Sequence, residues 1–266
     1  MRLQAFVRGI GLRGPGLSGW AVSEKPLCEP AAFHSAPADI PAPALLPSAE
    51  RRRSSRLVRL VLAVASEALD AAQLPPADLP GVFASSGGDG QICHELCESL
   101  ARDSPEASPT RFTNSVHNAP AGYWSIATGA AREMSLVSAY DASFAAGLLE
   151  AVCQVALERT CVLLVAYDSD YPPPLRDARP VPDAFGVAFA LEPQRSVRSL
   201  ARLELELAAA TAVDAMPDAV LESLRASIPA ARSLPLLAAL AGQAASSVRL
   251  EYLAPQMLCV RVEPCR

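Results

Sequence analysis

The sequence predicts an α/β fold in which a mostly parallel central sheet is covered by helices on both faces. Three observations carry that expectation. Short apolar runs without polar alternation, such as Gly81-Val82-Phe83-Ala84 and the run CVLLVAY over residues 161–167, have the composition of strands buried on both sides. Stretches with apolar residues at helical spacing alternate with these runs along the chain. Clusters of glycine and proline punctuate the joins.

Taken in order, residues 3–11 read as the first strand, ending in a turn at Gly9 and Gly11. Residues 23–50 are rich in Pro and Ala with no sustained period, and read as a surface loop. From Glu50 onward Leu57, Leu60, Val61, Val64 and Leu69 recur at helical spacing, and Pro75 and Pro76 stop that helix. The strand 81–84 runs into the turn Ser85-Ser86-Gly87-Gly88, followed by a helix over 92–100. A helix of small residues over 118–131, a strand over 134–139, a helix over 144–159 and the strand 161–167 repeat the alternation. A loop over 172–182 leads to a strand over 184–191. Beyond Glu192 the texture changes. Residues 200–207 alternate as a strand, helical stretches follow at 217–227 and 233–243, and residues 248–262 close as a strand pair or one long strand.

Composition removes several function classes. With 51% hydrophobic and 19% charged residues in a chain of 266, disorder of the whole chain is excluded, and roughly 70–75% of the unfolded surface is buried on folding. The net charge is −5, the sole lysine is Lys25, and the one dense basic cluster is Arg51, Arg52, Arg53 and Arg56, so no nucleic-acid partner is expected. That cluster reads as a solvated helix face before it reads as a docking patch for an acidic partner. The apolar stretch over 57–69 is broken by Arg59 and Glu67, short of the roughly 20 residues a membrane span needs. The first twenty residues have no long apolar core, and the seven cysteines are odd in number and irregularly spaced; together these predict a cytoplasmic protein without disulfides. Cys93, His94 and Cys97 lack a second ligand pair, so neither a metal nor another cofactor is expected.

The most specific stretch is residues 111–129, RFTNSVHNAPAGYWSIATG. It reads as a polar loop turning into a helix, with Asn118 able to cap it, Pro120 in its first turn, and Ala121 and Gly122 permitting close packing. On the residues alone, Tyr123 and Trp124 read as core aromatics before they read as pocket walls.

The run SVHNAPAGYWSIATG resembles the β-ketoacyl synthase motif in which a Ser-Val-His-Asn loop leads into a small-residue helix beneath the acyl pocket. The segment 81–90 (GVFASSGGDG) resembles that family's strand and glycine turn, and residues 136–147 (LVSAYDASFAAG) stand in the place of its strand and nucleophile turn. The resemblance covers about residues 3–192. It implies a thiolase-like condensing-enzyme fold, layered α/β/α, with residues 1–192 as its N-terminal half and residues 193–266 as a shortened C-terminal remnant packed on it.

The departures from the family pattern bear on function. The resemblance places a cysteine, activated at a helix N-terminus, where this chain has Ser138, Ala139, Tyr140, Asp141, Ala142 and Ser143. The degenerate turn is therefore placed at Ala139, Tyr140 and Asp141, with Asp141 suited to cap the helix that follows, and Cys153 is too far along to substitute. The family's two C-terminal histidines are also missing, because His34, His94 and His117 are the only histidines. His117 is expected to order the pocket loop through a hydrogen bond to backbone.

A condensing-enzyme relative without nucleophile or histidines resembles the chain length factors of aryl polyene and xanthomonadin-type pigment clusters, in type II fatty acid or polyketide-like biosynthesis. That resemblance implies a heterodimer with an active ketosynthase, transient visits by an acyl carrier protein, and no chemistry by the chain itself. It implies a tunnel wall built from Phe112, Asn114, Ser115, His117, Asn118, Tyr123 and Trp124, and a dimer interface along Met134, Leu136, Val137 and Ser138. Two alternatives remain: an enzyme using Ser138 or Ser143 as an unusual nucleophile, and a purely structural stabiliser.

Overall fold

A computed structural model describes residues 3–104 and 106–265. Strand β1 (Leu3–Arg13) leads through a bridge between Gly14 and Leu17 into helix α1 (Trp20–Cys28), and two further helices, α2 (Ser48–Arg53) and α3 (Arg56–Ala72), precede strand β2 (Gly81–Ala84). Then come α4 (Gly90–Leu100), α5 (Pro109–Ser115), α6 (Ala119–Thr128), β3 (Met134–Val137), α7 (Ser143–Glu158) and β4 (Val162–Asp168). Short α8 (Leu175–Ala178), β5 (Phe185–Glu192), β6 (Ala201–Ala209), α9 (Ala219–Ser227), α10 (Leu234–Ala241), β7 (Ser246–Glu251) and β8 (Gln256–Pro264) complete the chain.

Local chemistry sets several of these boundaries. Ser55 caps α3 by accepting from the Val58 N–H, and the helix ends at Gln73 in the left-handed region with φ 52°. Asp89 caps α4 through the Ile92 N–H, and Asp218 caps α9 through two N–H groups.

All eight strands join one sheet in the order β3-β2-β4-β5-β1-β6-β8-β7. Helices cover both faces: α7, α9, α10 and α1 enclose one core, and α3 and α6 the other. The α/β fold predicted from the sequence is therefore present, in layers. The expected mostly parallel sheet is not. Among the described residues, β2 runs parallel to β3 and β4, while the other five pairings are antiparallel. The physical reason is that β4 and β5 are buried at every position, and two-sided burial gives an unbroken apolar run whichever way the neighbours point.

Three local expectations also change. Gly9 and Gly11 lie inside β1 rather than in a turn. A Cβ on them would stand 2.1 Å from the Ala68 carbonyl oxygen and 1.9 Å from that of Val64, so their absent side chains let α3 lie directly on the strand. The loop expected over 23–50 is interrupted by α1, which tolerates Pro26 because Trp20, Ser23 and Leu27 bury its inner face, and by α2. The polar loop expected before Asn118 contains α5, with Ser108 as its cap. The closing residues form a strand pair, β7 with β8, and β6 attaches that pair to β1 from Leu3↔Leu205 to Val7↔Ala201.

Candidate functional site

The turn between β3 and α7 is built from contacts that converge from distant segments. The Ala139 N–H donates to Ser143 Oγ at 3.0 Å, and that hydroxyl donates to the Tyr140 carbonyl at 2.7 Å. Tyr140 sits in the left-handed region at φ 53°, a strained conformation for a bulky residue. Arg179 lies over its ring, 3.7 Å from the centroid. The Asp141 carboxylate accepts from Arg179 Nη2 at 2.5 Å and from Arg232 Nη2 at 3.0 Å, and Arg232 also pairs with Glu251 of β7. Asp141 therefore does not cap α7, whose N-terminal flanking residue is Ala142 without a side-chain cap. Two guanidiniums offer it stronger, charge-assisted partners than a helix end does.

No activated nucleophile stands at this turn. Ser143 Oγ is committed to backbone groups on both sides, and the exposed Ser138 hydroxyl donates to the Ser86 carbonyl at 3.2 Å. Cys153 lies within α7, where burial and then the Glu150 charge push its thiol pKa up, away from the thiolate form.

A feature that sequence reasoning missed lies behind the turn. Asp168, at the end of β4, is fully buried and accepts from the Ser86 N–H at 2.9 Å, Ser86 Oγ at 2.6 Å, Ser85 Oγ at 3.3 Å and the Ala230 N–H at 2.9 Å. Burial raises its pKa to about 6, against the lowering effect of those donors. It joins the glycine turn after β2 to the 3-10 turn Pro229–Ser233 that carries Arg232. The one signal in the sequence was an acid closing the apolar run CVLLVAY.

The residues expected around an acyl tunnel divide into two sets. Asn114 is buried, donates from Nδ2 to the Arg53 carbonyl at 3.0 Å and hydrogen-bonds the Tyr123 side chain. Burial raises the Tyr123 phenol pKa, with that hydrogen bond opposing it. Trp124 is 1% exposed and forms part of the wall of a cavity of about 730 Å³ under the strap 41–45, with Leu62, Leu69 and Ala127. Phe112, by contrast, is 61% exposed on α5, and Ser115 Oγ only turns back to the Phe112 carbonyl. Asn118 is exposed and makes no cap hydrogen bond, because its backbone φ and ψ (−87° and 3°) are not those of a capping residue. His117 Nε2 is buried without a partner, so the expected ordering bond to backbone is not made through that nitrogen; its ring packs beside Gly88 instead.

The interface residues expected at β3 lie at the sheet's edge. Met134 and Val137 are half-buried, Leu136 is 36% exposed and Ser138 is exposed. The arginine cluster is largely spent within the chain: Arg56 pairs with Asp170 and Asp183, Arg51 donates to the Leu46 carbonyl, and Arg53 pairs with Glu50. No helix among the described residues is long and apolar enough to cross a membrane, and no group of three His, Cys, Asp or Glu among them is placed to hold a metal.

Comparison with known proteins agrees with this architecture. The family model described as beta-ketoacyl synthase, N-terminal domain, matches residues 24–251. No curated protein matches the chain. Among solved structures, the ketosynthase ApeO in complex with its chain length factor ApeC from Xenorhabdus doucetiae is 24% identical, with TM-score 0.73, covering 97% of this chain and 99% of that one. The ishigamide ketosynthase/chain length factor is 16% identical, with TM-score 0.74 and coverage of 98% and 99%. AntDE:AntF, an acyl-carrier protein in complex with its hexaketide-bound ketosynthase, is 12% identical, with TM-score 0.79 and coverage of 99% and 100%. These likenesses are of fold, the thiolase-like condensing-enzyme fold.

Proposed function

The chain belongs to the β-ketoacyl synthase family, and from that premise we propose that it is a non-catalytic chain length factor. It pairs with an active ketosynthase in the cytoplasm, receives the acyl carrier protein only transiently, and shapes the tunnel in which an apolar, aryl polyene-type chain grows. Residues 1–192 act as the condensing-enzyme N-terminal half and 193–266 as a shortened second half. The observation that carries the reading is the turn after β3: Ala139, Tyr140 and Asp141 hold the stretch where the resemblance puts the family's cysteine, and Asp141 is locked by Arg179 and Arg232. The structural neighbours named as ketosynthase/chain length factor complexes support the pairing.

In this reading the bare edge of β3, with Met134, Leu136, Val137 and Ser138, faces the partner. Trp124, at the cavity wall, is the residue that limits product length. The stabiliser reading gains from the burial of Tyr123 and Trp124, so the test separates the two. In a reconstituted complex fed labelled acyl carrier protein, label should settle on the ketosynthase alone, and Trp124→Ala should lengthen the products. Label on this chain refutes the non-catalytic assignment. Unchanged products from an intact heterodimer refute the length-limiting one.

A further inference from the structure

The β3–α7 turn holds a strained backbone in place, and what it presents is a side chain facing solvent. Tyr140 is 64% exposed, and among the described residues its hydroxyl makes no hydrogen bond. Support for its left-handed backbone nonetheless comes from three segments: Ser143 within the turn, Arg179 after α8, and Arg232 before α10, which meets Arg179 on the Asp141 carboxylate. Arg179 also backs the ring from one face. Strain kept by an over-determined surround concentrates at functional positions. Here, among the described residues, the one contact its ring makes within the chain is the Arg179 guanidinium on one face, and the other face and the hydroxyl are left to solvent.

We propose that Tyr140 is the anchor by which this chain grips its partner, the ketosynthase subunit. This rests on the heterodimer proposed above. Tyr140 stands three residues beyond β3, whose outer edge has unpaired backbone groups and an exposed Leu136, the kind of edge that a second sheet of like fold completes about a two-fold axis. Because Asp141 and Glu251 together balance Arg179 and Arg232, the ring is offered without net charge. Its complement is an apolar socket with one carbonyl or carboxylate oxygen to accept the phenol O–H. Tyrosine backed by arginine is a composition enriched among residues that dominate interface energy.

The experiment measures dissociation of the co-expressed heterodimer by mass photometry on dilution, with pulse proteolysis of this chain as the stability readout. Tyr140→Ala should weaken pairing at least 30-fold, and Tyr140→Phe only a few-fold. Tyr140→Gly should weaken it as alanine does while leaving protease resistance equal or higher, since glycine relieves the left-handed backbone. Tyr140→Ala pairing within twofold of the unaltered chain overturns the anchor and leaves the heterodimer standing. A folded, unaltered chain that fails to bind the ketosynthase overturns the heterodimer and the anchor with it. Tyr140→Ala abolishing only self-association assigns the grip to a second copy and overturns the ketosynthase as partner.

Discussion

Asp141 was legible as a residue and illegible as a role. Its place after β3 is visible in the sequence, yet the arginines that clamp it lie 38 and 91 residues away, a separation no local pattern reports. Asp168 was missed for the same reason, since its donors come from the glycine turn and from the segment before α10. Its chemistry yields a testable pH dependence. The folded carboxyl has a pKa of about 6 against an ordinary 3.8, so between those values the folded state binds a proton that the unfolded state has released. Stability from this group is fully present below pH 4 and is lost as pH rises to about 6, by on the order of 3 kcal/mol. Asp183 and Glu222, whose pKa values are lowered from 3.8 and 4.5, act in the opposite sense as pH falls through those values, so the difference between the unaltered protein and Asp168→Asn isolates the effect. Urea unfolding at pH 4.5 and 7 should show stability falling with pH in the unaltered protein, and Asp168→Asn should abolish that fall. The variant should also lose about 1–3 kcal/mol at pH 4.5, where one amide oxygen replaces two carboxyl oxygens before four donors.

At the scale of elements, the periodicities of 57–69, 81–84 and 161–167 located α3, β2 and β4, because each is a long or fully buried apolar pattern. Strand direction was not legible. Nor was the meaning of Gly9 and Gly11, which mark the contact of β1 with α3 rather than a chain reversal. Their opposite is Gly122 in α6, where a Cβ would meet nothing within 4 Å. Gly11→Ala should therefore cost about 3 kcal/mol or more, because the obstacle is backbone and cannot rotate away. Gly122→Ala should add about 0.5–1 kcal/mol by helix propensity. Thermal melting of the two variants should shift in opposite directions, and equal shifts would show that α3 can retreat from β1.

For the molecule as a whole, the α/β layering was readable from alternation, while the relation of 193–266 to the rest emerged only from pairing: β6 extends the sheet from β1, and β8 and β7 follow. One end of the sheet is then β7, and the other is the short, half-exposed β3. Expressed alone, the protein should aggregate or form homodimers through that bare edge, and co-expression with its ketosynthase should restore a soluble heterodimer. A monodisperse monomer in size-exclusion chromatography would refute this. The position of β1 has a further consequence, for synthesis. It lies between β5 and β6, so β1, which α3 can cover early, gains its first strand neighbour only after residues 185–192 emerge from the ribosome and its second only after 201–209. Until then both edges of β1 are without a strand partner, and its apolar positions, Ala5, Val7, Ile10 and Leu12 among them, are where a ribosome-bound chaperone is expected to hold the nascent chain.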